Sequence, residues 1–270
     1  MSAHIWTEQD DEVTRRTWRQ RAQSLGALFA VCVTFLAVTI VASILTKNTV
    51  ALYVISYILM ALVALGLRRT PWMRRTWSEL NPTRVNKEAF SLGELILIGA
   101  TLSAASSVIG FALMHALDAH NSTSGETKGV EALVLILFAP FVGPVIEEVV
   151  CRGVMYPIMR RGFGVWTSAI VTSIVFAFAH LNIYQIVPTL VVGVVLALIY
   201  EKTRVLIAPI VIHIAHNVTA MMLALIEPLH HLNIIVAAIT TCALWVGVGW
   251  WTRTGLKRPA QPATSGGADA

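Results

Sequence analysis

Residues 140–153 read PFVGPVIEEVVCRG. Two adjacent carboxylates, Glu147 and Glu148, and one guanidinium, Arg152, stand here inside a run otherwise as apolar as a membrane span. A charge at mid-bilayer costs at least about 2.5–3.5 kcal/mol, so such groups face a protein interior or a water-filled cavity and serve a function. On a helix Glu148 and Arg152 are four apart with the acid first, the favourable order for an ion pair. Glu147 lies about 100° round the helix axis from Glu148 and about 140° from Arg152. The arginine neutralises Glu148 and leaves Glu147 over as the candidate base.

Outward from this stretch, the chain of 270 residues is 56% hydrophobic and 13% charged. A soluble domain carries about twice that charge fraction. Several apolar runs of about 20 residues predict an all-α, polytopic membrane helical bundle. The net charge of +5 does not point to nucleic acid, because the basic residues lie in short loops between spans, where the positive-inside rule puts them. Cys32, Cys151 and Cys242 fall in apolar stretches without metal-like spacing and read as small buried hydrophobes. The acidic residues of the first 23 positions, and the long apolar run after them, argue against a cleavable signal peptide.

Eight spans are predicted, at about 24–45, 49–67, 92–117, 130–159, 165–180, 185–200, 206–226 and 232–251. Residues 1–23 read as a cytoplasmic segment, 24–251 as the transmembrane domain and 252–270 as a disordered cytoplasmic tail. The tryptophans of the basic loop after the second span suit an interfacial helix. Pro140 and Pro144 predict a kink or break just before the glutamates. With both termini cytoplasmic, 17 of the 20 Lys and Arg fall on the inner side and only Lys47 and Lys128 on the outer. One missed or invented span would invert every later loop.

Three later positions are also polar within spans. His180 ends FAFAH, four residues after Phe176, and His213 and Asn217 are four apart in HIAHN, with His216 between them. At 1.5 Å per residue Glu147, His213 and His180 lie about 20, 14 and 24 Å from the cytoplasmic ends of their helices. A lone buried histidine is ordinarily a satisfied core residue, but independent core histidines have no reason to share a layer with an ionised carboxylate. A carboxylate, two imidazoles and an amide suit hydrolysis of an amide bond, with the glutamate taking a proton from water and N–H groups stabilising the oxyanion. No serine or cysteine nucleophile stands at a recognisable elbow and there is no HExxH. The spacing also allows Glu147, His180 and His213 to hold a divalent metal such as zinc.

EEVVCR fits EExxxR, FAFAH fits FxxxH and HIAHN fits HxxxN. In this order, each within a predicted span, the three motifs resemble those of the CPBP family of CAAX prenyl endopeptidases, bacteriocin-processing and self-immunity proteins and abortive-infection proteins. The resemblance covers about residues 131–222. It implies an eight-helix intramembrane endopeptidase of the glutamic or metallo type, with Glu147 as water-activating base, Glu148 and Arg152 completing its motif, His180 and His213 as the histidines and Asn217 as the oxyanion amide. A mechanism without a required cofactor is favoured. The expected partners are the lipid bilayer and a peptide or membrane-protein substrate in a bacterial cell membrane. The excess of Arg over Lys, 15 to 5, suggests a GC-rich bacterial genome, in which prenylated tails are not expected as substrates. The competing readings are a non-catalytic scaffold or bacteriocin self-immunity protein of the same fold and, less well supported, a proton-coupled transporter using Glu147.

Overall fold

The computed structural model describes residues 17–80, 90–116, 129–180 and 182–225. These form helices throughout: α1 (Trp18–Leu45), α2 (Thr49–Arg69), α3 (Pro71–Leu80), α4 (Leu92–Ala116), α5 (Val130–Gly162), α6 (Val165–Phe178), α7 (Ile183–Thr203) and α8 (Ile207–Leu225). Helices α1, α2, α4, α5 and α7 are long and apolar enough to cross a membrane, and α6 and α8 are apolar but shorter. The first seven predicted spans fall on these seven helices. The eighth, the tail and most of the N-terminal segment lie outside the described residues. The predicted interfacial stretch contributes α3, with Met73 and Thr76 buried and Arg74 and Arg75 exposed.

Helix ends follow local chemistry. Thr17 and Gln20 form a capping box at the start of α1. Asn48 caps α2 by accepting from the Ala51 N–H at 2.9 Å, and its own Nδ2 donates to Glu131 Oε1 at 2.7 Å, tying the starts of α2 and α5 together. Helix α7 ends at Arg204, in the left-handed conformation with φ 56°, a region mostly left to Gly and Asn.

Helix α5 is the centre of the bundle. Its residues Val150, Val154, Ile158 and Met159 pack with Leu28 and Val31 of α1, Ala64 of α2, Met73 of α3 and Phe176 of α6. A second core joins Leu95 and Leu102 of α4, Val192 and Leu196 of α7, and Ala208 and Ile212 of α8. Many aliphatic side chains, among them Leu36, Ile44, Leu97 and Leu133, point outward, as lipid-facing surfaces require.

Helices α4 and α8 approach one another closely at Gly99. A methyl on Gly99 would collide with the Ile212 carbonyl oxygen and stand 2.6 Å from Ala215 Cβ, so only glycine lets the two backbones approach this way.

The kink or break predicted at Pro140 and Pro144 takes another form. Helix α5 continues without a break but contains two π-helical turns, at Phe138–Val142 and Cys151–Met155. Each is followed, one residue on, by a proline. The Gly143 N–H goes to the Phe138 carbonyl, and the next residue, Pro144, has no N–H to offer. The same holds for Tyr156, which bonds Cys151, followed by Pro157. Each π turn accommodates one extra residue, about 100° of rotation relative to an uninterrupted helix. The two glutamates sit on the α-helical segment Gly143–Val150 between them.

Arg160, counted with the basic loop residues in the sequence, is instead buried at 3% exposure and paired with Glu201. Its Nη2 lies 2.9 Å from Glu201 Oε1, Tyr156 donates to Glu201 Oε2 at 2.9 Å, and Arg204 also bonds Glu201. Eight residues earlier on both helices, Arg152 donates to the Gly193 carbonyl. Helices α5 and α7 therefore run parallel and are tied at two levels about 12 Å apart along the axis.

Candidate active site

Glu148 and Arg152 form the pair that their spacing predicts. Arg152 Nη1 is 2.7 Å from Glu148 Oε1, and both side chains are essentially sealed from solvent. The guanidinium also sits 5.4 Å from the centre of the Phe176 ring, a cation–π distance. Two charges at this depth persist because each neutralises the other. Arg152 Nη2 also donates to the Gly193 carbonyl, while Glu148 Oε2 and Arg152 Nε have no hydrogen-bond partner among the described residues.

His213 adds a third member. Its Nδ1 is 2.9 Å from Glu148 Oε1. A carboxylate oxygen that already receives a guanidinium accepts, so the Nδ1–H of His213 donates to it. The opposite nitrogen, Nε2, then points to Glu147 Oε2 at 3.5 Å. His213 is thus held by one glutamate and turned towards the other.

Glu147 has a partner that the sequence reading missed. The hydroxyl of Tyr57, on α2, donates to Glu147 Oε1. The tyrosine is fixed in an aromatic cluster, with its ring 4.4 Å from Tyr53 and 5.8 Å, edge-on, from Phe138. The expectation of an acid without a partner is corrected to one bonded through Oε1, with Oε2 facing an imidazole. The available signal was Tyr53 and Tyr57 at i, i+4 in an otherwise aliphatic span. Nothing local to that span points to Glu147, 90 residues away.

His180 follows the last turn of α6, and its Nδ1 is 3.0 Å from the Phe176 carbonyl. A carbonyl only accepts, so Nδ1–H donates. Phe176 stands edge-on to both histidines, 5.1 Å from the His180 ring and 5.7 Å from that of His213. His180 therefore joins the site through a shared aromatic neighbour, with no hydrogen bond to Glu147 or His213 among the described residues.

Asn217, one turn beyond His213, donates from Nδ2 to the Ala139 carbonyl at 3.3 Å. That carbonyl is available because of the π turn: its ordinary donor, the Gly143 N–H, is committed to Phe138, and the next residue is Pro144. Proline chemistry in α5 thus docks the amide of α8. His216 has its ring 6.4 Å from that of His213, and its buried Nδ1 has no hydrogen-bond partner among the described residues.

Among the described residues no group of three His, Cys, Asp or Glu side chains is close enough to hold a metal ion. Glu147, His180 and His213 do not form a ready ligand set in this conformation. The geometry instead distinguishes two carboxylates: Glu148 pairs with Arg152 and holds His213, whereas Glu147 accepts from Tyr57 through Oε1 and faces His213 through Oε2.

Residues 129–219, about a third of the chain, match the family model described as type II CAAX prenyl endopeptidase Rce1-like. The membrane-embedded CAAX protease MroQ of Staphylococcus aureus (strain USA300) is 30% identical over 102 residues, covering 35% of this chain and 41% of that protein. The protein YdiL of Bacillus subtilis (strain 168) is 21% identical over 98 residues, 36% of this chain and 40% of its own. The chain thus spans about two fifths of the length of these curated relatives. No solved structure gives a significant match. From the first turn of α5 into α8, the segment carrying Glu147, Glu148, Arg152, His180, His213 and Asn217 matches the Rce1-like CAAX prenyl endopeptidases.

Proposed function

We propose that the protein is an intramembrane endopeptidase that hydrolyses a peptide bond in a membrane-associated protein or peptide, with Glu147 activating the water. The observation that carries this reading is the 3.5 Å approach of Glu147 Oε2 to His213 Nε2. It leaves a carboxylate oxygen and a ring nitrogen side by side to hold one water, while Glu148 and Arg152 neutralise each other beside them. The match of residues 129–219 to an endopeptidase family supports it.

In the proposed reaction Glu147 Oε2 takes a proton from water as the oxygen adds to the scissile carbonyl carbon. His213, fixed by Nδ1–H to Glu148, steadies the water through Nε2. The oxyanion accepts the second N–H of Asn217, whose first is held by Ala139, and His180 carrying a proton on both ring nitrogens is its second donor. The C–N bond then breaks, and Glu147 returns its proton to the departing amine. Carboxylic acid and amine leave, one water is consumed, and Glu147 is regenerated as the carboxylate.

The experiment is cleavage by the purified protein in proteoliposomes, with substrates found by comparing membrane and secreted peptides of cells carrying wild type or Glu147→Ala. The expected result is loss of cleavage by Glu147→Ala with insertion and folding unchanged. Full cleavage by purified Glu147→Ala overturns the reading. A cellular phenotype that survives substitution of Glu147, His180 and His213 together favours a non-catalytic binding role.

A further inference from the structure

We propose that Tyr57, on a helix outside the segment matched to the endopeptidase family, is a positioning residue for Glu147: its hydroxyl occupies Oε1 and so assigns proton transfer to Oε2. The inference rests on the peptidase reading above and goes beyond it by naming the working oxygen and the residue that selects it.

Three features carry it. The phenolic O–H donates to Glu147 Oε1, so that oxygen is already engaged when a water arrives. The other oxygen is the one that faces His213 Nε2, at 3.5 Å. The tyrosine itself cannot swing away freely. Tyr53, one turn earlier, lies 4.4 Å from it, and both rings meet Phe138 edge-on at 5.6 and 5.8 Å.

The cluster is built into the same turn of α5 that sets the glutamates. Phe138 opens the first π turn and Gly143 closes it. A Cβ on Gly143 would stand 3.4 Å from the Tyr53 hydroxyl, so a larger side chain there would press on the tyrosine pair. At its start α2 is fixed to α5 by the Asn48–Glu131 bond. The tyrosines therefore keep their level relative to the carboxylate. A side chain present only for packing would need a ring in this position but no hydroxyl.

The test is Tyr57→Phe, which keeps the ring and removes the donor, with Tyr53→Phe beside it. Both are assayed in proteoliposomes on a panel of quenched fluorescent single-span peptides. The expected outcome for Tyr57→Phe is a fall in kcat of about 10- to 100-fold, as for loss of a hydrogen bond to a charged group. KM should change less than about twofold, with unchanged thermal unfolding, and the acid limb of the pH–rate profile should be displaced. Tyr53→Phe falls less.

Infrared difference spectra give a readout independent of turnover. The Glu147 carboxylate bands, identified as those lost in Glu147→Gln, shift in Tyr57→Phe. Wild-type kcat with unmoved bands in Tyr57→Phe overturns the proposal, as does a loss of activity explained by unfolding with bands unmoved. If no peptide is cut by the wild type, the peptidase reading falls and the assigned role falls with it, while the bands still decide whether the bond exists.

Discussion

His213 and Glu148 meet across 2.9 Å between Nδ1 and Oε1, although 65 residues separate them in the chain. The same oxygen receives Arg152. One carboxylate oxygen therefore binds a guanidinium and sets the orientation of an imidazole, and the three residues behave as one unit.

Removing one member of this unit should cost more than its share. Arg152→Leu leaves Glu148 as an uncompensated buried charge and is expected to destabilise the protein by about 3–5 kcal/mol. The double variant Arg152→Leu with Glu148→Gln should recover part of that loss. Thermal unfolding in detergent checks the order, and additive effects would contradict it.

The two glutamates should separate kinetically. Glu147→Gln is expected to lower kcat by about 10²- to 10⁴-fold, as for loss of a general base. Glu148→Gln keeps an acceptor for His213 and should be less damaging to kcat but more damaging to stability. Paired kcat and unfolding measurements on the two variants decide it.

A glutamate-activated water also predicts indifference to metal removal. Treatment of the purified protein with 1,10-phenanthroline, followed by exchange into metal-free buffer, should leave cleavage within about twofold of the untreated rate. Loss on chelation with recovery on adding zinc would replace this mechanism by one with a metal-bound water.

Buried and exposed ion pairs near the end of α5 should behave differently. Glu201 holds Arg160, Arg204 and Tyr156 in a buried cluster, so Glu201→Gln should cost about 3–5 kcal/mol. Glu79 meets Arg161 at 3.9 Å on an exposed surface, and Glu79→Gln should cost less than about 1 kcal/mol. Unfolding midpoints of the two variants test the contrast.

The contact at Gly99 carries a further prediction. Gly99→Ala places a methyl against the backbone of α8 at Ile212, the residue before His213. Overpacking of this kind costs about 1–3 kcal/mol, and the displaced helix carries both His213 and Asn217. Stability and kcat should fall together, whereas Gly66→Ala, with open space around it, should change neither.

What was legible in the sequence was local. Apolar runs gave seven helices close to their places, because a span is declared by its own composition. The Glu148–Arg152 bond followed from a spacing of four. Long-range partners were not legible: Tyr57 sits in another span and nothing near it names Glu147, and His213 reaches Glu148 only because α8 packs against α5. The burial of Arg160 was not legible because its partner, Glu201, stands in YEKTR, which reads as the edge of a loop. The prolines of α5 were visible, but a proline can break, bend or widen a helix, and the choice depended on the neighbours that received the freed groups. For Ala139 that receiver is Asn217.

The parallel ties between α5 and α7 have a consequence for traffic. Two rods pinned at two heights resist sliding and rolling against one another along the line from Arg152–Gly193 to Arg160–Glu201. On the proposed peptidase reading, a polypeptide arriving sideways from the lipid would enter along some other seam of the bundle.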